Sequence, residues 1–190
     1  DLTTLAKILA GGLPGGAVAG RADIMEQLAF KDGEWNRKRK VLHNGTFNAN
    51  PLSAAAAIVC LDLIKDGEAQ RFADGQAAKL RAGLNAILNR MEVEGAAYGE
   101  SSVFHLVLGV PVPARGEGDL RDPQLTPEML KRGEAQSPAM KVIDVAMLNE
   151  GVHAFHGGGL LSIAHDDEMI DQTLAAFDRA LVRMQAEKLI

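Results

Sequence analysis

Cysteine is almost missing from this sequence of 190 residues: Cys60 stands alone, which excludes a disulfide within the chain. Long apolar runs are missing as well, and no stretch reaches the roughly 20 residues that a membrane-spanning helix needs. No segment reads as a secretory leader, so a reducing compartment, with the cytoplasm as default, is the expected location. Basic charge is in deficit, the formal net charge being −5. Apart from residues 37–40 the lysines and arginines are scattered, so neither nucleic acid nor membrane is an expected partner. No internal repeat is found. His153, His156 and His165 have no cysteine or carboxylate at ligand spacing, and strand alternation sends His153 and His156 to opposite faces, so no metal site is expected. A nucleotide phosphate loop needs Gly-Lys followed by Ser or Thr. Lys7 instead precedes the glycines and is followed by Ile8, so that chemistry is excluded.

What is present begins with residues 1–21, DLTTLAKILAGGLPGGAVAGR. Residues 2–5 read as a buried strand that delivers Lys7 to the edge of a loop too rich in glycine for a helix. A lone amine at the mouth of such a loop is a candidate nucleophile. A chain that opens straight into a buried strand is expected to be the C-terminal portion of something longer. Residues 16–20 predict a second, tightly packed strand and residues 22–30 a short helix; residues 31–40 read as a polar loop in which Trp35 serves packing.

Residues 41–51, VLHNGTFNANP, form the second unusual stretch. Asn44-Gly45 is a turn dipeptide, and Thr46, Asn48 and Asn50 lead into Pro51, which suits the first turn of a helix. That helix, residues 52–65, is apolar on most sides and reads as buried, with Cys60 a small core hydrophobe. Near Gly45 and Thr46 two readings stay open: an anion such as a phosphate or carboxylate held at the helix N-terminus, or ordinary capping by Thr and Asn.

Residues 68–91 have helical spacing, with Phe72, Ala77, Leu80, Leu84, Ile87 and Leu88 on one stripe and Arg71, Lys79, Arg81 and Arg90 elsewhere. From residue 92 an antiparallel meander is expected, with turns at Gly95 and residues 99–101, and His105 reads as a satisfied sheet histidine. Residues 111–123 read as a surface loop. Thr126-Pro127-Glu128 starts a helix, Gln136-Ser137-Pro138 interrupts it, and residues 151–164 predict two short strands around a tight turn at residues 157–159. Asp166 opens a last amphipathic helix. The expected division is an α/β part over residues 1–67, then a connecting helix and a smaller α+β part over residues 68–190.

These residues carry a resemblance. LTTLAKILAGGLPGGAVAGR resembles the lysine segment of class III, pyridoxal-phosphate-dependent aminotransferases, especially the branch around glutamate-1-semialdehyde aminomutase and β-amino-acid aminotransferases. NGTFNANPLSAAAA is similar to that family's phosphate-contact loop and the helix after it, and LNEGVHAF with GGGLLSIAHDDEMID resembles its C-terminal lobe. The matches run in the same order along almost the whole chain.

The resemblance implies the C-terminal part of an aspartate-aminotransferase-like, fold type I enzyme. Residues 1–67 would be the end of the large cofactor-binding domain with its sheet, and residues 68–190 the connecting helix and the small C-terminal α+β domain. By position, Lys7 matches the lysine that forms a Schiff base with the aldehyde of pyridoxal 5'-phosphate, is displaced by the incoming amine, and then moves a proton between substrate and cofactor carbons. Gly45 and Thr46 match the contacts to the cofactor phosphate, which in this family reach the neighbouring subunit's cofactor, so a homodimer with shared active sites is implied. The family's glycine/serine phosphate loop, its stacking aromatic and its ring-nitrogen carboxylate all precede the lysine segment, where this chain has six residues. The isolated chain is therefore expected to be inactive and to need the missing N-terminal part as its partner.

The implied activity is transfer of an amino group from an amino acid, β-amino acids included, to a 2-oxo acid. Where the aminomutase carries an acidic residue, gapless alignment back from Ser162 places Gly157, which favours plain transfer over mutase chemistry. His156 beside it offers a contact to a substrate carboxylate; a simple tight turn is the other reading of this stretch. Two alternatives are kept: a glutamate-1-semialdehyde 2,1-aminomutase, and a non-catalytic dimerisation or regulatory module.

Overall fold

The structure is a computed structural model that describes residues 1–113, 116, 118–131 and 137–190. It divides into two units, Asp1–Asp66 and Gly67–Ile190, and each is described by itself.

In the first unit β1 (Leu2–Leu5) and β2 (Ala17–Gly20) pair antiparallel, with Leu2 opposite Gly20 and Leu5 opposite Ala17. Both strands are exposed along their whole length, so the buried and tightly packed strands expected here are corrected. The two form a two-stranded sheet of their own. Lys7–Ala10 winds into a short 3-10 turn instead of a loop, because the glycines begin only at Gly11, whose left-handed φ of 58° ends the turn. The expected helix at residues 22–30 is α1 (Ala22–Met25) continued by a 3-10 turn.

The loop expected over residues 31–40 contains α2 (Gly33–Lys38). The Asp32 carboxylate caps it by accepting from the backbone N–H groups of Glu34 and Trp35 at 2.9 and 2.8 Å. Trp35 packs as expected, its indole N–H donating to the Ala29 carbonyl at 3.0 Å.

The helix α3 (Pro51–Ile64) starts where the sequence placed it. The Asn50 side-chain oxygen accepts from Leu52 N–H and Ser53 N–H, and Pro51 fills the first helical position, whose missing donor costs nothing there. Its predicted burial is wrong within this unit: Ile58 is 63% and Leu63 72% exposed. The helix packs chiefly on the Lys7–Ala10 turn, which covers one side of a helix apolar all round. Cys60 is only half-buried, and its thiol donates to the Ile8 carbonyl at 3.0 Å.

The second unit is built on α4 (Glu68–Arg90), followed by β3 (Gly95–Tyr98), β4 (Val103–Leu108), α5 (Pro127–Lys131), α6 (Pro138–Asn149), β5 (Gly158–Leu160) and α7 (Asp167–Ala186). The strands form one antiparallel sheet in the order β3-β4-β5. Ala77, Leu80, Leu84 and Leu88 line one face of α4 at helical spacing and meet Leu106 and Leu108 of β4, Ile143 and Met147 of α6, and Phe177 and Leu181 of α7. Gly95 begins a strand instead of making a turn, and the turn between β3 and β4 lies where it was expected, closed by Val103 N–H donating to the Glu100 carbonyl at 3.1 Å. The expected interruption at Gln136 lies outside the described residues; α6 begins at Pro138. Thr126 caps α5 and Asp166 caps α7 through their side-chain oxygens.

Arg81 departs most from expectation. Assigned to the polar side of α4, it is 2% exposed. Its Nε and Nη2 donate to the two Asp119 oxygens at 2.6 and 3.2 Å, and its Nη1 donates to the carbonyls of Ser101 and Val103 at 3.0 and 2.6 Å. One and two turns further along the helix, Asn85 donates to the carbonyls of Ala97 and Gly118, and Asn89 donates to Gly116. The stretch read as a surface loop is thus tied to a polar seam of residues spaced by four. At the other end of the unit, Arg179 Nε donates to Glu150 Oε2 at 2.6 Å, and Arg183 Nη2 lies 3.0 Å from Oε1.

Replacing Asp119 with Ala strands the buried guanidinium, and the expected loss is about 3 kcal/mol of unfolding free energy, read by denaturant titration. The hydrogen bond from Arg179, helped by the charge of Arg183 and opposed by burial, holds the Glu150 carboxyl below its ordinary value. The stability it contributes is present above the usual carboxylate range and is lost as pH falls through the lowered value. Acid titration of the melting temperature is expected to be shallower in Glu150→Gln than in the parent chain.

Candidate active site

Lys7 stands at the junction of β1 and the 3-10 turn, exposed, with its backbone in the left-handed region at φ 56°. Ala49, Glu92, Ser101, Gln124, His156 and Lys188 share that conformation, so strain alone selects no site. The Lys7 amine makes no ion pair or hydrogen bond with any described residue, which leaves its lone pair open to an electrophile once the proton is lost. It lines a shallow depression with Ile8, Gly12, Leu13 and Pro14. A second hollow of the same unit runs between Gly15 and Gly16 on one side and Asn48, Asn50 and Ser53 on the other. Gly45 and Thr46 line neither hollow.

Gly45 and Thr46 sit in the turn before α3, where Asn48 N–H donates to the Gly45 carbonyl at 3.0 Å. A Cβ on Gly45 would fall 2.7 Å from Asn48 Oδ1, so glycine lets that amide fold back and donate to the His43 carbonyl. The backbone N–H groups of Gly45 and Thr46 and the Thr46 hydroxyl engage no described residue. Three unengaged donors in an exposed turn are the donor set that a phosphate takes. Asn50, not Thr46, supplies the helix cap. The capping reading of this stretch is thus satisfied without Thr46, and the anion reading keeps its donors.

In the second unit His156 and Gly157 form the tip of a hairpin. Phe155 and Gly158 exchange both backbone hydrogen bonds, at 2.9 and 3.1 Å, and the two residues between them have φ of 52° and 70°. This is the primed two-residue turn of a tight hairpin. The expected turn at residues 157–159 is corrected to 156–157, since Gly158 and Gly159 pair with β4 as part of β5, and the strand expected before the turn reduces to the Phe155 bridge. Asp144 on α6, a residue that sequence reasoning missed, accepts from Gly157 N–H at 2.8 Å. Its partner is 13 residues away and no local pattern joins the two. An apolar hollow of about 270 Å³ lies behind the hairpin, lined among others by Leu84, Phe104, Ile143, Met147 and Phe177.

Two further histidines have structural partners. His165 Nδ1 accepts from Ser162 N–H at 3.0 Å, and the His105 ring lies 5.4 Å from that of Tyr98 across the β3–β4 pair. Among the described residues no three His, Cys, Asp or Glu side chains are grouped to hold a metal ion. No helix among them is long and apolar enough to cross a membrane.

Comparison with known proteins bears on the same stretches. The family described as "Aminotransferase class-III" matches residues 1–97. A glutamate-1-semialdehyde 2,1-aminomutase of Methanothrix thermoacetophila is 32% identical over 185 residues, covering 93% of this chain and 37% of the relative. Among solved structures, an omega-transaminase from Sphaerobacter thermophilus superposes with a TM-score of 0.74 at 26% identity, covering 97% of this chain and 39% of that one. A β-phenylalanine aminotransferase from Variovorax paradoxus gives 0.70 at 27% identity, with 98% and 39% covered. The chain therefore spans about two fifths of the length of the proteins it matches.

Gly157→Ala places a Cβ 2.5 Å from Met140 Cε on a left-handed backbone. The expected cost is about 2 kcal/mol of stability, read by thermal melting.

Proposed function

The chain belongs to the class-III aminotransferase family, and on that premise we propose that it is the lysine-bearing part of a longer pyridoxal-phosphate-dependent enzyme that moves an amino group from an amino donor to a 2-oxo acid. The observation that carries the reading is Lys7. Its amine makes no ion pair or hydrogen bond with any described residue, and it lies within the segment the family matches. The superposition on transaminases over nearly the whole chain supports the fold type I assignment. On this reading Asp1–Asp66 belongs to the large domain and Gly67–Ile190 to the small one.

Pyridoxal phosphate, when bound, supplies the electron sink for negative charge at the substrate carbon. Lys7 Nζ would be the amine that holds the cofactor, and it would take and return the proton at the substrate carbon. Gly45 N–H, Thr46 N–H and the Thr46 hydroxyl would hold the cofactor phosphate. Gly45 and Thr46 do not line the depression that holds Lys7, which is compatible with a homodimer in which they serve the neighbouring subunit's cofactor. His156 and Gly157 receive the substrate. The aromatic and carboxylate partners of the cofactor ring come from the part of the enzyme beyond this chain.

A mutase reading is favoured by the name of the Methanothrix relative. Gly157 favours transfer, since the resemblance puts an acid there in the mutase. The full-length enzyme is expected to show a visible absorbance band on addition of pyridoxal phosphate, and Lys7→Ala is expected to abolish the band and lower turnover by about a thousandfold or more. The isolated chain is expected to give no turnover. Half-reactions with α- and β-amino acids are expected to outrun that with glutamate 1-semialdehyde; the reverse order selects the mutase.

A further inference from the structure

The hairpin tip formed by His156 and Gly157 is closed by Phe155 and Gly158 and is braced from a second element as well. Its turn has left-handed backbone at both residues, a conformation that histidine takes less readily than glycine. The restraint comes from α6. Asp144 Oδ1 accepts the Gly157 N–H at 2.8 Å, and one helical turn earlier Met140 Cε occupies the space that a Gly157 side chain would fill. With the Gly157 donor engaged by Asp144, and Phe155 and Gly158 bonded to each other, His156 N–H is left without a partner among the described residues. The exposed His156 ring stands edge-on to Phe155, with centroids 4.5 Å apart. The tip thus presents a backbone N–H and an imidazole together, a pair of donors suited to a carboxylate.

The geometry points to Asp144 as a positioning residue for substrate binding: it pins the Gly157 peptide so that His156 presents both donors to the carboxylate of an amino-acid donor. This rests on the assignment of His156 and Gly157 to substrate. Asp144 itself touches no reacting atom and acts through the turn. An oxygen acceptor is what the role requires, and asparagine supplies one.

The test is a double-mutant cycle in the full-length enzyme with alanine as donor, reading KM, kcat and the visible cofactor band. Asp144→Ala is expected to raise KM about tenfold with kcat within about twofold, and Asp144→Asn is expected to stay near the parent values. His156→Gly, which relieves the left-handed strain and keeps the turn, is expected to raise KM by a similar factor. Adding Asp144→Ala to His156→Gly is expected to raise KM no further, and that double variant keeps the test alive should Asp144→Ala alone fail to fold. Additive KM effects, a fall in kcat at constant KM, or equal effects of the Asn and Ala replacements overturn the positioning role. If His156→Gly raises KM while Asp144→Ala does not, the positioning role alone falls. If His156→Gly leaves KM unchanged while the visible band persists, the assignment of His156 to substrate falls with it.

Discussion

A guanidinium taken out of water has to be compensated in full, and the second unit is assembled around that compensation for Arg81. Two carbonyls and one carboxylate surround it. The carbonyls of Ser101 and Val103 sit at the mouth of β4, so the arginine sets where that strand begins. From there the order passes along the ladder: Val103 faces Leu160, and His105 faces Gly158. Gly158 closes the hairpin on Phe155, and the hairpin carries His156 and Gly157. Arg81, far from that turn in sequence, is thus linked through the ladder to the hairpin of the second unit.

The two units solve the problem of burying apolar surface differently. In the second, α4, α6 and α7 close over the sheet, and the buried hydrophobic side chains lie there with the single exception of Ala10. In the first, Ile58, Val59, Leu61 and Leu63 of α3 stay exposed within the unit, as do Leu2 and Leu5 of β1. Apolar area on that scale is a surface for contact with other protein. The proposal of a longer, dimeric enzyme provides such contact, and the turn of Gly45 and Thr46 precedes the helix that needs it.

How much of this could be read from the sequence depended on how local the determining interaction is. The long helices α4 and α7 were legible from their spacing, and Asn50-Pro51, Thr126-Pro127 and Asp166 announced helix starts because a cap acts within three residues. Arg81 was not legible: a charge on the flank of an apolar stripe reads as solvated unless its partner is known, and Asp119 is 38 residues away. The same holds for Asp144 and Gly157. For α3 the pattern said that all sides want cover, which is a different statement from being covered. The short α2 was hidden because Asp32-Gly33 reads as a turn, although the same aspartate caps a helix. Lys7, Gly45 and Thr46 were picked out by residue chemistry and by likeness to a known segment, and the structure adds that the Lys7 amine, the Gly45 and Thr46 N–H groups and the Thr46 hydroxyl are unengaged by described residues.

The central claim is that Lys7 is the residue that takes the cofactor covalently. Borohydride reduction of the full-length enzyme with pyridoxal phosphate, followed by peptide mass spectrometry, tests it directly. The account predicts a single stoichiometric pyridoxyl adduct on Lys7. An adduct on another lysine, or none, would contradict it.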